Sequence, residues 1–557
     1  MTIGSYLASR LVELGVNHYF AVPGDYNLSL LDEFLKNSET QLISCSNELN
    51  AGYAADGYAR MRGIAATVVT YSVGSLSQIN AIAGCYAESL PVIVISGGPN
   101  TNSTGKKHLL HHSLGEINYR YVRDMFAHVT AAAVIIDNPQ TALRTIDDAL
   151  CQAVTRRKPV YIEIACNLST YVCDAPARQL CIQPLEKRGR TFFAAVTKAS
   201  KILNAAQRPL LISGIKLRSY EAVDQWKALT AASRAPLATM PNAKGIVNEQ
   251  TRSFLGVYWG PMSSPCVREY AESSDCIFFA GPAFTDYTTC GYTIPLSSPN
   301  TIVADPHSVT IGGKVFLGVP LVPFLEELSK RVVPKQYSAP KKPTLRKKPV
   351  NRKKKVTISR LYELAHEYML NEKSVVVAET GDSWFECLKL SLPDGARFEI
   401  QMQYGSIGWS VGATLGAALG SAAGQRPITF VGDGSFQMSA QELSTIIRYH
   451  CNPIIFLVNN QGYQIEERIH VGVYNTIENW NYADLVPTFN GTTGKGWSAK
   501  VTTEGELVAV LKKAATSKEL SFIEVMISPS DNAPELITFG KLASAYNQQP
   551  YEKARAL

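Results

Sequence analysis

The sequence predicts an α/β protein of three domains, each built on a parallel sheet. Short runs of β-branched and aromatic residues recur along the chain, and segments with helical spacing separate them. The length of 557 residues leaves room for three to four domains of about 150 residues each. Two groups of apolar runs, one towards each end of the chain, have similar patterns, which suggests two domains of one architecture.

The candidate strands fall into three groups. The N-terminal group comprises residues 18–22, 66–71, 91–95 and 159–164. The middle group comprises residues 209–213, 235–240, 276–280 and 301–304. The C-terminal group comprises residues 374–378, 427–431, 453–458 and 521–527. Because helical segments separate the strands within each group, each group predicts one parallel sheet.

The stretches between these groups give the domain boundaries. Periodicity is lost over 172–191, and proline alternates with basic residues over 331–355. We therefore expect an N-terminal domain over 1–180, a middle domain over 192–330 and a C-terminal domain over 356–557. Residues 331–355 should form an extended, exposed linker.

Composition argues against several classes of protein. Hydrophobic residues make up 46% and charged residues 18%, as in ordinary globular domains, and the lack of an 18-residue apolar stretch argues against a membrane partner. Residues 1–14 have the spacing of an amphipathic helix and lack the features of a signal peptide. The 11 cysteines include no Cys-x-x-Cys pair, which favours reduced thiols in a cytoplasmic protein.

The net charge of +7 comes from one segment. The linker 331–355 contains 11 Lys and Arg and no Asp or Glu, and removing these 11 charges from +7 leaves −4 on the rest of the chain. Its run 352–355 is similar to a nuclear-localisation or nucleic-acid-binding patch, but charge runs by themselves are usually solvated. We favour a solvated linker and expect no nucleic-acid partner.

The motif Gly432-Asp433-Gly434, paired with Asn459-Asn460, is the most specific feature of the chain. Each half follows a candidate strand and a helical segment lies between them, so Asp433 and Asn460 should meet at the carboxyl edge of a parallel sheet. The Asp433 carboxylate, the Asn460 amide oxygen and the Gly462 carbonyl are ligands that suit Mg²⁺. The glycines let backbone N–H groups approach a diphosphate, and Ser435 opens a helix whose N-terminus favours anions.

This pairing resembles the thiamine diphosphate-binding signature of thiamine-dependent enzymes, and the chain from about residue 3 to about residue 550 is similar to the pyruvate decarboxylase family. The other motifs that carry the resemblance are Gly24 to Asn27, Asn47 to Gly52, His111-His112, Glu379 to Phe385, Gly405 to Gly408 and Gly462 to Glu466. The resemblance implies a pyrimidine-binding domain, a middle domain and a diphosphate-binding domain. It also implies thiamine diphosphate and Mg²⁺ as cofactors and a small 2-oxo acid, pyruvate, as the substrate that loses CO₂ to give acetaldehyde.

The resemblance assigns the catalytic work to Glu48, Asp25, His111, His112 and Glu466. Glu48 would face the pyrimidine ring and promote formation of the C2 carbanion, although on its own it is more simply a helix-capping residue. The other four would act as general acids in the protonation of the enamine and in aldehyde release. Since two adjacent histidines cannot face one point from a regular strand, His111 and His112 should lie in a loop or turn.

The resemblance also implies the cofactor-binding positions. Ile407 would hold the cofactor in a bent shape, and the Gly405 carbonyl would hold its amino group. The further positions are Glu48, Thr380, Asp382, Ser406, Gly432, Asp433, Gly434, Ser435, Asn460, Gly462, Tyr463, Gln464 and Ile465. Relatives often carry histidine at the position of Ser406, but this position varies among them.

By the same resemblance, substrate size would be set by Tyr287, Trp384, Ile465, Ile469 and Phe539. Trp384 fills space and favours pyruvate, whereas Phe539 stands where bacterial relatives carry the larger tryptophan. One methylene group in such a pocket is worth about 1–3 kcal/mol of discrimination. We therefore expect pyruvate as the first substrate, with short branched 2-oxo acids tolerated.

Other functions stay open at this point. Phe539 mildly favours an indolepyruvate, phenylpyruvate or branched-chain 2-oxo acid decarboxylase, and Trp384 argues against it. An acetolactate synthase-type carboligase would need FAD and would have no use for the histidine pair together with Glu466. A non-catalytic nucleic-acid binder would rely on the linker alone. In the family Glu48 reaches a cofactor held by a second copy, so we expect an active dimer and a homotetramer built as a dimer of dimers.

Overall fold

Each domain contains one sheet of six or seven strands with helices packed against it in the computed structural model of the chain. The structure describes residues 1–174, 179–180, 188–294, 296, 298–340 and 347–547. The N- and C-terminal sheets are wholly parallel and the middle sheet is mostly parallel, which confirms the predicted fold class. No helix among these residues combines the length and the apolar character that crossing a membrane requires.

The N-terminal sheet has the strand order β2-β1-β3-β4-β6-β5. Its strands are β1 (His18–Ala21), β2 (Gln41–Ser44), β3 (Ala65–Val69), β4 (Val92–Gly98), β5 (Ala132–Ile136) and β6 (Val160–Ala165). Its helices are α1 (Ile3–Glu13), α2 (Leu28–Leu35), α3 (Glu48–Arg62), α4 (Val73–Ser77), α5 (Ile79–Glu88), α6 (Thr101–Gly105), α7 (Tyr121–Phe126) and α8 (Ala142–Arg156). Helix α1 coincides with the amphipathic pattern predicted for residues 1–14.

The middle sheet differs from the other two by ending in an antiparallel hairpin. Its strands are β7 (Pro209–Ser213), β8 (Leu237–Thr239), β9 (Phe254–Val257), β10 (Cys276–Ala280), β11 (Thr301–Asp305), β12 (Ser308–Ile311) and β13 (Lys314–Leu317). Its helices are α9 (Arg190–Ala205), α10 (Lys216–Ser219), α11 (Val223–Ser233), α12 (Pro265–Glu272) and α13 (Leu321–Ser329). The strand order is β13-β12-β11-β10-β7-β8-β9, and β12 runs antiparallel to both neighbours because connections of two residues cannot join parallel strands.

The C-terminal sheet has the order β15-β14-β16-β17-β19-β18, which repeats the N-terminal order strand for strand. Its strands are β14 (Ser374–Ala378), β15 (Arg397–Ile400), β16 (Arg426–Gly432), β17 (Ile454–Asn459), β18 (Trp497–Val501) and β19 (Ser521–Met526). Its helices are α14 (Ile358–Met369), α15 (Asp382–Lys389), α16 (Trp409–Gly420), α17 (Asp433–Gln437), α18 (Glu442–Arg448), α19 (Gln464–Ile469), α20 (Leu485–Asn490), α21 (Glu504–Thr516) and α22 (Pro534–Tyr546). The suggestion of two domains of one architecture therefore agrees with the topology.

Every predicted strand overlaps an observed strand, but seven observed strands were not predicted. These are β2, β5, β9, β12, β13, β15 and β18. All of them except β12 form the edges of the three sheets. Edge strands are short and partly exposed, so they lack the continuous apolar runs that mark the buried strands.

Helices α3 and α16 hold the N- and C-terminal domains against each other at very short distance. A Cβ atom on Gly416 would lie 1.9 Å from the Ala54 carbonyl oxygen, and one on Gly57 would lie 2.2 Å from the Ala413 carbonyl oxygen. The two backbones are in contact here, which only glycine allows. One buried apolar cluster around this contact includes Phe20 of the N-terminal domain and Phe436 of the C-terminal domain.

Replacing Gly416 by alanine should destabilise the protein, because the new methyl group would meet backbone atoms that cannot move aside. We expect the midpoint of thermal unfolding to fall by about 3 °C or more, despite the better helix propensity of alanine. The matched control is Gly105→Ala, since Gly105 also lies in a helix but has open space around its Cβ position. Equal midpoints for Gly416→Ala and the control would show that the domains do not depend on this contact.

Candidate active site

A cleft of about 290 Å³ opens at the carboxyl edge of the C-terminal sheet, where β14, β16 and β17 end. Open α/β sheets bind their ligands at this edge. The residues that line the cleft are Thr380, Gly381, Asp382, Ser383, Ile407, Gly432, Asp433, Gly434, Ser435, Met438, Val458, Asn460, Gly462, Tyr463, Gln464, Ile465 and Glu466. The chain therefore gathers most of the predicted cofactor-binding positions around one cleft.

Three oxygen atoms converge at the side of the cleft formed by β16 and β17. Asn460 Oδ1 lies 3.2 Å from Asp433 Oδ1 and 3.2 Å from the Gly462 carbonyl oxygen. Rotating the Asn460 amide by 180° would instead point its NH₂ group at both oxygens. Oxygen atoms at this spacing repel each other unless a donor or a cation lies among them, and neighbouring ligands of an octahedral Mg²⁺ are about 3 Å apart. This set of oxygens can therefore hold Mg²⁺.

The backbone of both strand ends orients the Asp433 carboxylate. Its Oδ1 accepts the Gly434 N–H at 2.8 Å and its Oδ2 accepts the Gln461 N–H at 2.6 Å. The side chain is almost completely buried, and this burial raises the pKa of Asp433 to about 6, against the opposing effect of the backbone donors. A bound cation would compensate for the buried charge.

Hydrogen bonds connect the opposite side of the cleft to two other parts of the chain. Asp382, at the start of α15, accepts the Ala533 N–H at 2.8 Å, and burial raises its pKa to about 6. Glu379, at the end of β14, is buried and accepts the Ser410 N–H at 2.9 Å, which fixes the start of α16 beside the cleft. Burial also raises the pKa of the Glu379 carboxyl.

The loop 405–408 forms the turn before α16. Gly408 has φ +89°, and a Cβ atom there would lie 2.7 Å from the Cβ of Met438, so this position requires glycine. Ile407 lines the cleft, whereas Gly405 and Ser406 are not among the lining residues. Ser406 Oγ instead accepts a hydrogen bond at 3.2 Å from Asn80 of the N-terminal domain.

Glu466 lies in the first turn of α19, next to Ile465, and both residues line the cleft. Although its side chain reaches solvent, the surrounding protein desolvates the carboxyl and raises its pKa. The pKa of the Tyr287 phenol is also raised, first by burial and then by the charge of Glu466. The middle domain therefore places Tyr287 near this carboxyl.

A second group of polar side chains lies at the carboxyl edge of the N-terminal sheet. His111 Nε2 is 2.6 Å from Asp25 Oδ2, and His112 Nε2 is 3.7 Å from Asp25 Oδ1. His112 has φ +58°, which turns the backbone so that two adjacent imidazoles face one carboxylate. The pair lies in a turn, as the sequence analysis expected.

Two loops position this group. Asn27 is fully buried and closes the loop after β1, because its Oδ1 accepts the Gly24 N–H at 2.8 Å and its Nδ2 donates to the Val22 carbonyl at 3.0 Å. The Tyr121 hydroxyl donates to the His112 carbonyl at 3.0 Å. Tyr26 stacks on the His111 ring with the centroids 4.8 Å apart. The motif Gly24 to Asn27 thus folds as a support for Asp25.

Glu48 is the first residue of α3, and Asn47 caps this helix by accepting the Asn50 N–H at 2.8 Å. Its carboxylate lies beside Gly74, whose Cβ position would be 3.1 Å from Glu48 Oε1. Neither Glu48 nor the Asp25–His111–His112 group lines the C-terminal cleft. Among the described residues, no hydrogen bond or ion pair joins either of them to Glu466.

The predicted substrate-size residues belong to one apolar cluster of the C-terminal domain. Phe539 packs edge-on against Tyr287 with centroids 5.1 Å apart, and Tyr287 packs edge-on against Trp384 at 6.1 Å. Trp384 is completely buried and Ile465 alone of the five predicted residues lines the cleft. Ile469 packs against the same cluster.

Comparisons with known proteins agree with this architecture. The chain matches the thiamine pyrophosphate enzyme N-terminal TPP binding domain over residues 1–119, the central domain over 196–331 and the C-terminal TPP binding domain over 371–525. It is 45% identical over 560 residues to pyruvate decarboxylase 2 of Arabidopsis thaliana, covering 99% of this chain and 92% of that protein. It is 44% identical over 561 residues to pyruvate decarboxylase 2 of Oryza sativa subsp. japonica, with the same coverage.

The chain belongs to the pyruvate decarboxylase family of thiamine pyrophosphate enzymes. A solved structure, benzoylformate decarboxylase from Polynucleobacter necessarius, has the same fold with a TM-score of 0.79 at 18% sequence identity. The likeness covers 95% of this chain and 99% of the solved one. The order of the three domains is therefore common to this chain and to a distant decarboxylase.

Several residues at the site of this thiamine pyrophosphate enzyme were not predicted. Gly381, Ser383, Met438 and Val458 line the cleft. A simple signal could have found them, because each lies within three residues of a predicted position on the same strand end or helix turn. Trp259 lies far in sequence from the residues that line the cleft. Its Nε1 donates to the Tyr287 carbonyl at 2.6 Å, and its ring stacks on Phe385 and packs at a tilt against Phe539. No local pattern in the sequence connects it to the site.

The raised pKa of Asp433 predicts an unusual response to substitution. Because the folded-state pKa of about 6 exceeds the usual value of 3.8, ionised Asp433 destabilises the metal-free fold. This penalty is fully present above pH 6 and shrinks as the pH falls from 6 towards 3.8. In a chelating buffer at pH 7.5, Asp433→Asn should therefore unfold at the same or a higher temperature than the unmodified protein, with a difference that shrinks at pH 5.

Adding thiamine diphosphate and Mg²⁺ should reverse this order, since only the unmodified protein keeps the full set of metal ligands. Thermal unfolding with and without the cofactors measures both effects. A lower unfolding temperature for Asp433→Asn in the chelating buffer would show that the buried carboxylate stabilises the fold by itself.

Proposed function

We propose that this protein catalyses the non-oxidative decarboxylation of pyruvate to acetaldehyde and CO₂, with thiamine diphosphate and Mg²⁺. The observation that carries the proposal is the cleft itself, which has metal-binding oxygens on one wall and the desolvated carboxyl of Glu466 on another. The Arabidopsis and rice relatives, which are pyruvate decarboxylases by name, support the choice of substrate.

The cleft would hold the diphosphate end of the cofactor. Asp433, Asn460 and Gly462 would hold Mg²⁺, which would supply positive charge for the diphosphate. The first turn of α17 and the backbone at Gly434 and Ser435 would donate N–H groups to the same diphosphate. Ile407 would support the bend between the two rings. When bound, thiamine diphosphate supplies the carbanion and the electron sink that decarboxylation needs.

The polar side chains of the chain would then move protons. Glu48 would hold a proton at the pyrimidine ring. Asp25, His111, His112 and Glu466 would deliver a proton to the reacting carbon and take up the hydroxyl proton when the aldehyde leaves. A carboxyl with a raised pKa, such as Glu466, suits this role because it retains its proton closer to neutral pH.

Substrate size would follow from the aromatic cluster beside Glu466. Phe539 packs on Tyr287, which packs on Trp384, so bulky 2-oxo acids would have to displace these rings. Phe539 leaves more room than tryptophan would. Short branched 2-oxo acids are therefore a second class of substrate for the same chemistry.

The complete site would form between two copies of the chain. The Asp25–His111–His112 group and Glu48 lie outside the cleft that would hold the diphosphate. Large apolar side chains are exposed on the loops that carry the two groups: Leu109, Leu114, Ile117, Met438, Val473 and Tyr474. Monomeric proteins rarely expose this many apolar side chains close to functional groups. A second copy would cover them and bring both groups together, and two such dimers would form the homotetramer.

A comparison of four substrates tests the proposed activity. Purified protein with thiamine diphosphate and Mg²⁺ would be given pyruvate, 2-oxoisovalerate, phenylpyruvate or indolepyruvate, and CO₂ and aldehyde release would be measured. We expect the highest kcat/KM on pyruvate, a lower value on 2-oxoisovalerate and loss of turnover without the cofactor. Preference for the aromatic acids would contradict the pyruvate assignment, and acetolactate without aldehyde would contradict the reaction class.

Subunit complementation tests the shared site. Glu48→Gln and Asp433→Asn should each abolish turnover alone. In a mixed dimer one of the two sites receives both substitutions and the other receives neither. Because random pairing makes about half of the dimers mixed, the mixture should regain about one quarter of the unmodified activity.

The matched control pairs Asp433→Asn with Glu466→Gln. Both residues belong to the C-terminal cleft, so every site in such mixed dimers keeps one substitution and no activity should return. Failure of the first pair to regain activity, despite demonstrated mixed dimers, would show that each chain forms its site alone.

A further inference from the structure

We propose that Asp25, His111 and His112 form an inhibitory Zn²⁺ site, distinct from the Mg²⁺ site in the C-terminal cleft. The binding of Zn²⁺ is inferred from the geometry of these three side chains. The inhibition rests on the function proposed above, in which the same three residues transfer protons.

The three ligand atoms already lie together. His111 Nε2 and Asp25 Oδ2 are 2.6 Å apart, His112 Nε2 and Asp25 Oδ1 are 3.7 Å apart, and one ligand atom from each residue lies within 4.8 Å of the others. Tetrahedral Zn²⁺ binds nitrogen and oxygen at about 2.0–2.2 Å, which separates neighbouring ligands by about 3.3 Å. An ion could therefore enter as the short contact opens and the longer contacts close.

The backbone and the neighbouring rings prepare this arrangement before any ion binds. The turn at His112 directs both imidazoles towards Asp25. The stacked Tyr26 ring and the Tyr121 hydrogen bond to the His112 carbonyl restrict both histidines. A preorganised set loses little conformational entropy on binding, which favours affinity. All three side chains reach the surface of the single chain, and in the assembled site an ion would follow the route by which the substrate enters.

The donor set selects the metal. Two imidazoles and one carboxylate suit Zn²⁺, which accepts three protein ligands and leaves a fourth position for water. Mg²⁺ prefers oxygen ligands in an octahedron, and the Asp433, Asn460 and Gly462 oxygens provide these in the cleft. Among the residues that the structure describes, Asp25, His111 and His112 are the one group of three or more His, Cys, Asp or Glu side chains with ligand atoms this close.

Zn²⁺ bound here would block proton transfer without displacing Mg²⁺ or the cofactor. The ion would occupy the Nε2 lone pairs of both imidazoles, and it would neutralise the carboxylate that orients them. None of the three groups could then donate or accept a proton at the reacting carbon. Inhibition should therefore lower kcat, and a chelator should reverse it.

The test uses the full chain loaded with thiamine diphosphate and excess Mg²⁺, so that the cleft is saturated. Isothermal titration with Zn²⁺ should show a site of one ion per chain. In His111→Gln and in His112→Gln the affinity of this site should fall at least tenfold. The matched control is His108→Gln in the same loop, since His108 contributes through its backbone: its N–H donates to the Ser103 carbonyl and its carbonyl accepts the Tyr119 hydroxyl. This control should bind Zn²⁺ as the unmodified protein does.

Cobalt provides a readout that does not depend on activity. Co²⁺ at this site should give visible d–d bands without the near-ultraviolet bands of thiolate ligation, and these bands should be absent in His111→Gln and in Asp25→Asn. Equal Zn²⁺ affinity and equal Co²⁺ spectra in all variants and the control would overturn the proposal.

The same variants separate this proposal from the proposed function. If His111→Gln loses turnover but binds Zn²⁺ normally, the metal site is wrong and the catalytic role stands. If His111→Gln keeps full turnover but loses Zn²⁺ binding, the metal site stands and the catalytic role is wrong.

Discussion

The backbone contact between α3 and α16 is the constraint on which the rest of the structure depends. Gly57 and Gly416 bring the two helices so close that a single methyl group would collide with a carbonyl oxygen. Helix α3 carries Glu48 at its first residue, and α16 begins directly after the loop that holds Ile407. One contact therefore sets the position of both functional helix starts and of the two sheets behind them.

The identical strand orders of the N- and C-terminal domains make α3 and α16 equivalent helices. Equivalent positions nevertheless carry different chemistry. The carboxyl edge of the first sheet presents Asp25 and the two histidines, whereas that of the last presents the oxygens of Asp433 and Asn460. The fold repeats, but the side chains at the strand ends differ: in the proposed function one group transfers protons and the other holds the diphosphate.

Much of this arrangement could be predicted from the sequence, because buried parallel strands leave continuous apolar runs. The edge strands could not, because strands such as Gln41–Ser44 and Lys314–Leu317 span only four residues, most of which are not buried. The hairpin at Gly312-Gly313 did have a recognisable turn signal. In the cleft, local motifs located the strand-end residues. The hydrogen bond from Trp259 to the Tyr287 carbonyl and the stacking of Trp259 on Phe385 join separate segments and have no sequence pattern.

The buried charge of Asp433 also affects how well the protein resists proteases before its cofactors bind. A chain that has not yet acquired its cofactors holds a desolvated carboxylate at the centre of its C-terminal domain, so its open and protease-sensitive forms are more populated. Binding then removes this weakness. Loading with the cofactors should consequently protect the C-terminal domain from proteases as well as complete its cleft.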